Sequence, residues 1–148
     1  MSNRERLADF LKALDDAGII DFDKNRFNHR LKLQKYVFIA QKFGFKTNYN
    51  YSLYIHGPYS SNLADDYYHI SNFKDREPMA LDFRFVKLVR NKSEEWLELA
   101  STILMIIERY GNVDHNTLIS LVKTVKPFAE REHLMEIVRS LERHNYLR

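Results

Sequence analysis

Cysteine is absent from the 148 residues. Disulfides, thiolate metal sites and cysteine nucleophiles are absent with it, and a chain without thiols fits a reducing cytoplasm. Glycine occurs only four times and proline three times, so the chain is poor in breakers, and with 45% hydrophobic residues it is too apolar to stay disordered. No apolar run approaches the length of a membrane span, and the opening "MSNRERLADF" lacks the apolar core of a signal peptide. The expectation is one domain over residues 1–148, cytoplasmic, with no membrane partner. Acidic residues are missing from Lys24 to Ala64, where Lys24, Arg26, Arg30, Lys32, Lys35, Lys42 and Lys46 stand unopposed. From Glu94 to Arg148 nine acidic residues face seven basic ones. The basic character is local to the first half, and attraction to an anionic partner is expected there.

Apolar periodicity supplies most of the fold. Ser2 and Glu5 have capping-box spacing ahead of a stripe at Leu7, Phe10, Leu11 and Leu14, with Gly18 as the stop. Residues 25–43 read as a central helix that is apolar on more than one face, leaving Lys32, Lys35 and Lys42 for a narrow polar side. Residues 49–55 alternate with period two and predict a short strand. In "HGPYSS" Pro58 restricts Gly57, and Ser60 or Ser61 can cap a helix running through Asn72, so the segment reads as a strand-to-helix corner. One glycine followed by an N–H-less proline makes a poor phosphate cradle. Residues 73–92 turn at Pro78 and then fit strand or helix equally. Ser93 caps a helix stopped by Gly111, Asp114 opens another, and Pro127 sits near the first turn of a last helix ending in "HNYLR". The outline is mainly α, a helical domain with a small β element and a winged-helix-like tri-helical unit at about 93–148.

"KLQKYVFIAQKFG" at 32–44, followed by "YNYSLYIHGPYSSNLADD" at 49–66, resembles the signature half of the YwgA-like proteins and, more distantly, the Panacea or SocA-like antitoxin-associated domain. The shared pattern is Lys-Leu-Gln-Lys opening a buried helix, an aromatic strand, Gly57-Pro58, and a helix after the small polar Ser60. It covers roughly the first half of the chain, about 1–72. Panacea proteins usually have an apolar residue after the proline, where this chain has Tyr59. The resemblance implies a mainly helical, non-catalytic domain without cofactors, found in prokaryotes and their mobile elements. Its Panacea relatives neutralise toxins or act as adaptors. A protein partner is then expected on the basic, aromatic surface around Lys32, Lys35, Tyr54, His56 and Tyr59, and an antitoxin-like or phage-defence role follows.

The residues also admit plainer readings. Lys32 and Lys35 serve equally as a solvated helix face, whereas the Gln34 amide on an apolar helix must find a partner, and the backbone of the Gly57-Pro58 corner offers one. A side chain at Gly57 is expected to clash with the central helix. Asp65, Asp66 and His69 are the only compact set of metal-ligand types, but two ligands four residues apart on a helix make no site, and no metal is expected. Ser60-Ser61 lacks the glycines of a nucleophile elbow, and no carboxylate pair stands out, so no enzyme activity is expected. Tyr54 and Tyr59 are the expected exposed members of the aromatic set. DNA binding by the tri-helical half is the alternative function, weakened because "DHNTLISLVKTVK" carries only Lys123 and Lys126 and "EREHLMEIVRSLERH" offsets its arginines with four glutamates.

Overall fold

In the computed structural model, which describes residues 1–144, five of the helices begin at a residue whose side chain accepts from an amide of the first turn, while those at Phe27–Lys42 and Arg131–Arg143 begin without such a cap. Ser2 Oγ accepts from the Glu5 amide at 3.1 Å while the Glu5 carboxylate accepts from the Ser2 amide, so α1 (Asn3–Asp16) has a complete capping box. Its buried stripe includes Leu7, Phe10, Leu11 and Leu14. In α2 (Phe27–Lys42) every residue from Leu33 to Ala40 is buried, so this helix is covered on all sides over two turns.

The strand expected at 49–55 is shorter, and it has a partner that the sequence did not reveal. β1 (Ser52–Tyr54) pairs antiparallel with β2 (Gly57–Tyr59), with Ser52 opposite Tyr59, Leu53 opposite Pro58 and Tyr54 opposite Gly57. The two residues Ile55 and His56 reverse the chain, and Gly57 takes the bend at φ +88°. A proline is tolerated in β2 because a two-stranded sheet consists of edges. "GPY" is therefore a hairpin strand, and the corner proper is Ser60, whose Oγ accepts from the Leu63 amide at 3.2 Å and caps α3 (Ser61–Tyr68). That helix stops short of the expected Asn72, because at His69 the ring nitrogen rather than a continuing backbone amide lies against the Asp65 carbonyl, 2.7 Å away.

The open stretch 73–92 resolves as a 3₁₀ turn (Phe73–Asp75) and a short helix, α4 (Phe83–Val89), capped by Asp82. Phe85, Leu88 and Val89 turn inward at helical spacing. Ser93 caps α5 (Glu94–Tyr110) and Asp114 caps α6 (His115–Val125), as their positions predict. The last helix, α7 (Arg131–Arg143), begins four residues beyond Pro127. The cause is a turn closed by the Ala129 amide on the Lys126 carbonyl at 3.1 Å, which places the proline between helices. Residues 145–148, most of the "HNYLR" ending, lie outside the described residues.

The chain is mainly α-helical with a small antiparallel β element. α5 is its hub: it packs against α2, β2, α6 and α7, and every residue from Leu99 to Ile106 is buried. Ser101 and Thr102 survive there because their hydroxyls donate to the Leu97 and Glu98 carbonyls, each at 2.7 Å. α5, α6 and α7 pack pairwise, but among the described residues no strand lies within the segment from α5 onward, so the tri-helical unit has no wing of its own there. It is also not a separate body, since one apolar cluster runs from Leu7 to Leu141. Among the described residues no helix is long and apolar enough to cross a membrane.

The hairpin-to-helix corner makes a direct stability test. Gln34 exchanges two hydrogen bonds with the backbone of Ser60, so Gln34→Leu should cost on the order of 1–3 kcal/mol by leaving buried amide and carbonyl unpaired. Ser60→Ala should cost less, about 1 kcal/mol for the lost cap. Gly57→Ala should cost about 2 kcal/mol, because its φ of +88° strains any side chain. Urea denaturation midpoints rank the three variants.

Candidate functional site

β2 lies buried between α2 and α5, and its outer edge has no third strand beside it. Two neighbouring side chains of α2 take the place of that strand. Gln34 Nε2 donates to the Ser60 carbonyl at 3.0 Å and Gln34 Oε1 accepts from the Ser60 amide at 2.9 Å. Lys35 Nζ donates to the Pro58 carbonyl at 2.8 Å. Lys35 is only 2% exposed, which corrects its expected place on a solvated polar face with Lys32 and Lys42. The Pro58 carbonyl points outward from the hairpin and needs a donor, and the lysine stem reaches it through apolar surroundings. Gly57 approaches α5 rather than α2: a Cβ there would stand 3.2 Å from Glu98 Cγ and Thr102 Oγ1.

The turn of the hairpin is held from the other side. Lys126, at the end of α6, donates to the Ile55 carbonyl and to Glu98 Oε2, each at 2.7 Å. His56 Nδ1 lies 3.4 Å from the other oxygen of Glu98. A chain of groups thus runs from Lys126 through Glu98 to His56, with the Lys35 ammonium behind it. Burial pushes the Lys35 ammonium down from 10.5 to about 8; the Glu98 carboxylate opposes this shift and the Lys126 charge adds to it.

Above this network the surface is apolar. Phe128 is 98% exposed, Ile55 84%, Phe27 57% and Tyr54 55%. Ile55 and Phe128 line a pocket of about 510 Å³ floored by Leu99 and flanked by Glu95, Glu98 and Lys126. Phe27 and Leu31 line a second, of about 290 Å³, with Lys35, His56, Glu94, Glu95 and Glu98. The two pockets flank the hairpin turn and share Glu95 and Glu98. Rings link the rim: Phe27 meets His56 at 5.8 Å and Tyr54 meets Tyr59 at 5.5 Å.

No family model matches the chain, nor does any curated protein or solved structure.

Of the residues expected to bind a partner, Tyr54 and His56 are exposed, Tyr59 and Lys32 are half-buried, and Lys35 is internal. The sequence reading missed Phe27, Ile55, Glu98, Lys126 and Phe128. Phe128 alone carried a signal: a large apolar residue directly after Pro127, outside any helical stripe. Ile55 was expected to end the strand at 49–55, but it occupies the turn instead. Glu98 and Lys126 come from segments 28 residues apart, and no spacing links them.

Asp65 and His69 sit on the exposed surface of α3. Asp66 belongs to a different set, accepting from the Tyr49 hydroxyl at 2.6 Å and from Arg4 at 3.3 Å. Among the described residues no group of three or more acidic or histidine side chains could hold a metal. In the tri-helical half, Lys126 is tied inward, leaving Lys123 as the exposed lysine of that segment. On α7 His133 lies 3.7 Å from Glu95, and Glu142 lies 3.3 Å from His115.

Lys35 gives the site a pH signature. Its pKa is lower folded than unfolded, so between about 8 and 10.5 the unfolded chain binds the extra proton and stability rises with pH. Relative to a Lys35→Met variant, the wild type should gain about 3 kcal/mol across that window. Paired urea titrations at stepped pH measure the difference, in which the tyrosines common to both proteins cancel. A flat difference would show that the ammonium is not held in a dry site.

Proposed function

We propose that this chain is a non-catalytic protein-binding domain whose partner docks over the hairpin turn, on the apolar surface made by Phe27, Ile55 and Phe128 with Tyr54 at its edge. The observation that carries the reading is the exposure of these side chains around two adjoining pockets. Contiguous apolar surface rimmed by polar groups is the signature of an interaction site, whereas scattered exposed apolar residues are ordinary. Binding is favoured over hydrolysis because, of the Ser60-Ser61 pair, Ser60 is 1% exposed with its hydroxyl capping α3, and the pair lacks the glycines of a nucleophile elbow. The resemblance of "KLQKYVFIAQKFG" and "YIHGPYSS" to YwgA-like and Panacea proteins supports an adaptor role, antitoxin-like or linked to phage defence.

DNA binding is the reading that this proposal competes with, and the two make opposite demands on the same variants. Ile55→Asp and Phe128→Asp should each change stability by less than about 0.5 kcal/mol, because both residues are exposed. Affinity purification from the native host should recover a stoichiometric protein with wild type and with Lys32→Glu, and lose it with either aspartate variant. Recovery unaffected by both aspartates, together with a salt-sensitive mobility shift on duplex DNA, would replace the adaptor reading with the regulator.

A further inference from the structure

The expected partner surface was basic, because the run from Lys24 to Ala64 contains no acid. Folding reverses the sign of the docking region. The first turn of α5, from the acidic half of the chain, supplies Glu94 and Glu95, both exposed, to the rim of the pocket beside Phe27. Most cations close to them are already engaged, and the His133 ring, 3.7 Å from Glu95, is shared with Glu136 at 4.0 Å. Lys35 donates to Pro58 and Lys126 to Glu98 and Ile55, while Arg30 lies over the Phe27 ring at 5.6 Å and donates to the Lys24 carbonyl. Glu98 is answered internally by Lys126, which leaves the Glu94–Glu95 edge as the charge presented to a partner.

We propose that the partner segment carries a lysine or arginine next to an aliphatic or aromatic side chain, a deepening that rests on the docking reading above. The basic side chain lies in the Phe27 pocket, with its stem against Phe27 and Leu31 and its charged head at Glu94 and Glu95. The neighbouring apolar side chain fills the larger pocket between Ile55 and Phe128, across the shared wall of Glu95 and Glu98. Juxtaposition of the two pockets is what demands both chemistries in one short segment. An acidic segment, which the composition of the first half invites, would meet like charge at this edge.

Selection of short random peptides displayed on phage against the whole protein tests this. Enriched peptides should carry Lys or Arg close to an aliphatic or aromatic residue. Their synthetic copies should bind the Glu94→Gln/Glu95→Gln double variant about ten-fold more weakly, lose affinity as salt rises, and fail to bind Phe128→Asp. Peptides that lack a basic residue, or that bind the double variant as well as wild type, would overturn the partner chemistry. The docking surface would then still stand, provided Phe128→Asp abolished their binding. Peptides indifferent to Phe128→Asp and Ile55→Asp, or no enrichment at all, would overturn both. A wild-type dimer in sedimentation that Ile55→Asp dissociates would make the occupant a second copy and overturn the basic segment.

Discussion

A strand buried between helices must have its backbone polar groups paired on both edges, and β2 has a neighbouring strand on only one. The arrangement of this protein depends on how α2 meets that demand. Gln34 acts as a surrogate backbone, offering one donor and one acceptor to Ser60, and Lys35 closes the remaining carbonyl at Pro58. Because Gln34 and Lys35 are consecutive on a helix buried all round, they fix both the position and the rotation of α2 against the hairpin. The same contacts hold Ser60 where its hydroxyl can cap α3. Placing an ammonium in this position costs desolvation energy, and its depressed pKa records that cost.

The opposite face of the hairpin is held by α5 and the end of α6. Gly57 allows the chain within van der Waals distance of Glu98 and Thr102, where a side chain would crowd both. Lys126 then links the Ile55 carbonyl to Glu98, tying the hairpin turn to the α6–α7 connection. With its backbone satisfied from both sides, the two-residue turn needs no cover over its side chains. Ile55 and Phe128 are left outward on neighbouring loops, and the pockets beside them follow from that geometry. The apolar side chains therefore stand on loops whose backbone is tied to α5 and α6 by Lys126.

Much of the helical framework was legible because its causes are local. The capping box at Ser2, the caps at Ser93 and Asp114, and the apolar stripes of α1, α5 and α6 each depend on residues within a turn or two of one another. The need of Gln34 for a partner was legible too, since an amide on an apolar helix has no local way to be satisfied. The misread elements share a different cause. "GPY" resembles a turn in every local respect and becomes a strand only because β1 lies alongside it. α3 ends early through the ring of His69, and Pro127 belongs to a turn because Ala129 reaches back to Lys126.

What the sequence by itself determined was where helices start and stop, which stripes are buried, and that the chain is mainly α with a small β element, because these follow from periodicity and capping at short range. Only the tertiary structure decided that Lys35 is internal, that Glu98 answers Lys126, and that the pockets beside the hairpin turn are edged by glutamates of α5. Charge along a sequence adds up by position, but the field at a surface adds up by distance. α5 brings Glu94, Glu95 and Glu98 beside the hairpin of the basic half, while that half's nearest lysine is turned inward to a carbonyl. Composition could not anticipate a sign that depends on which side chains the backbone consumes and which it leaves to solvent.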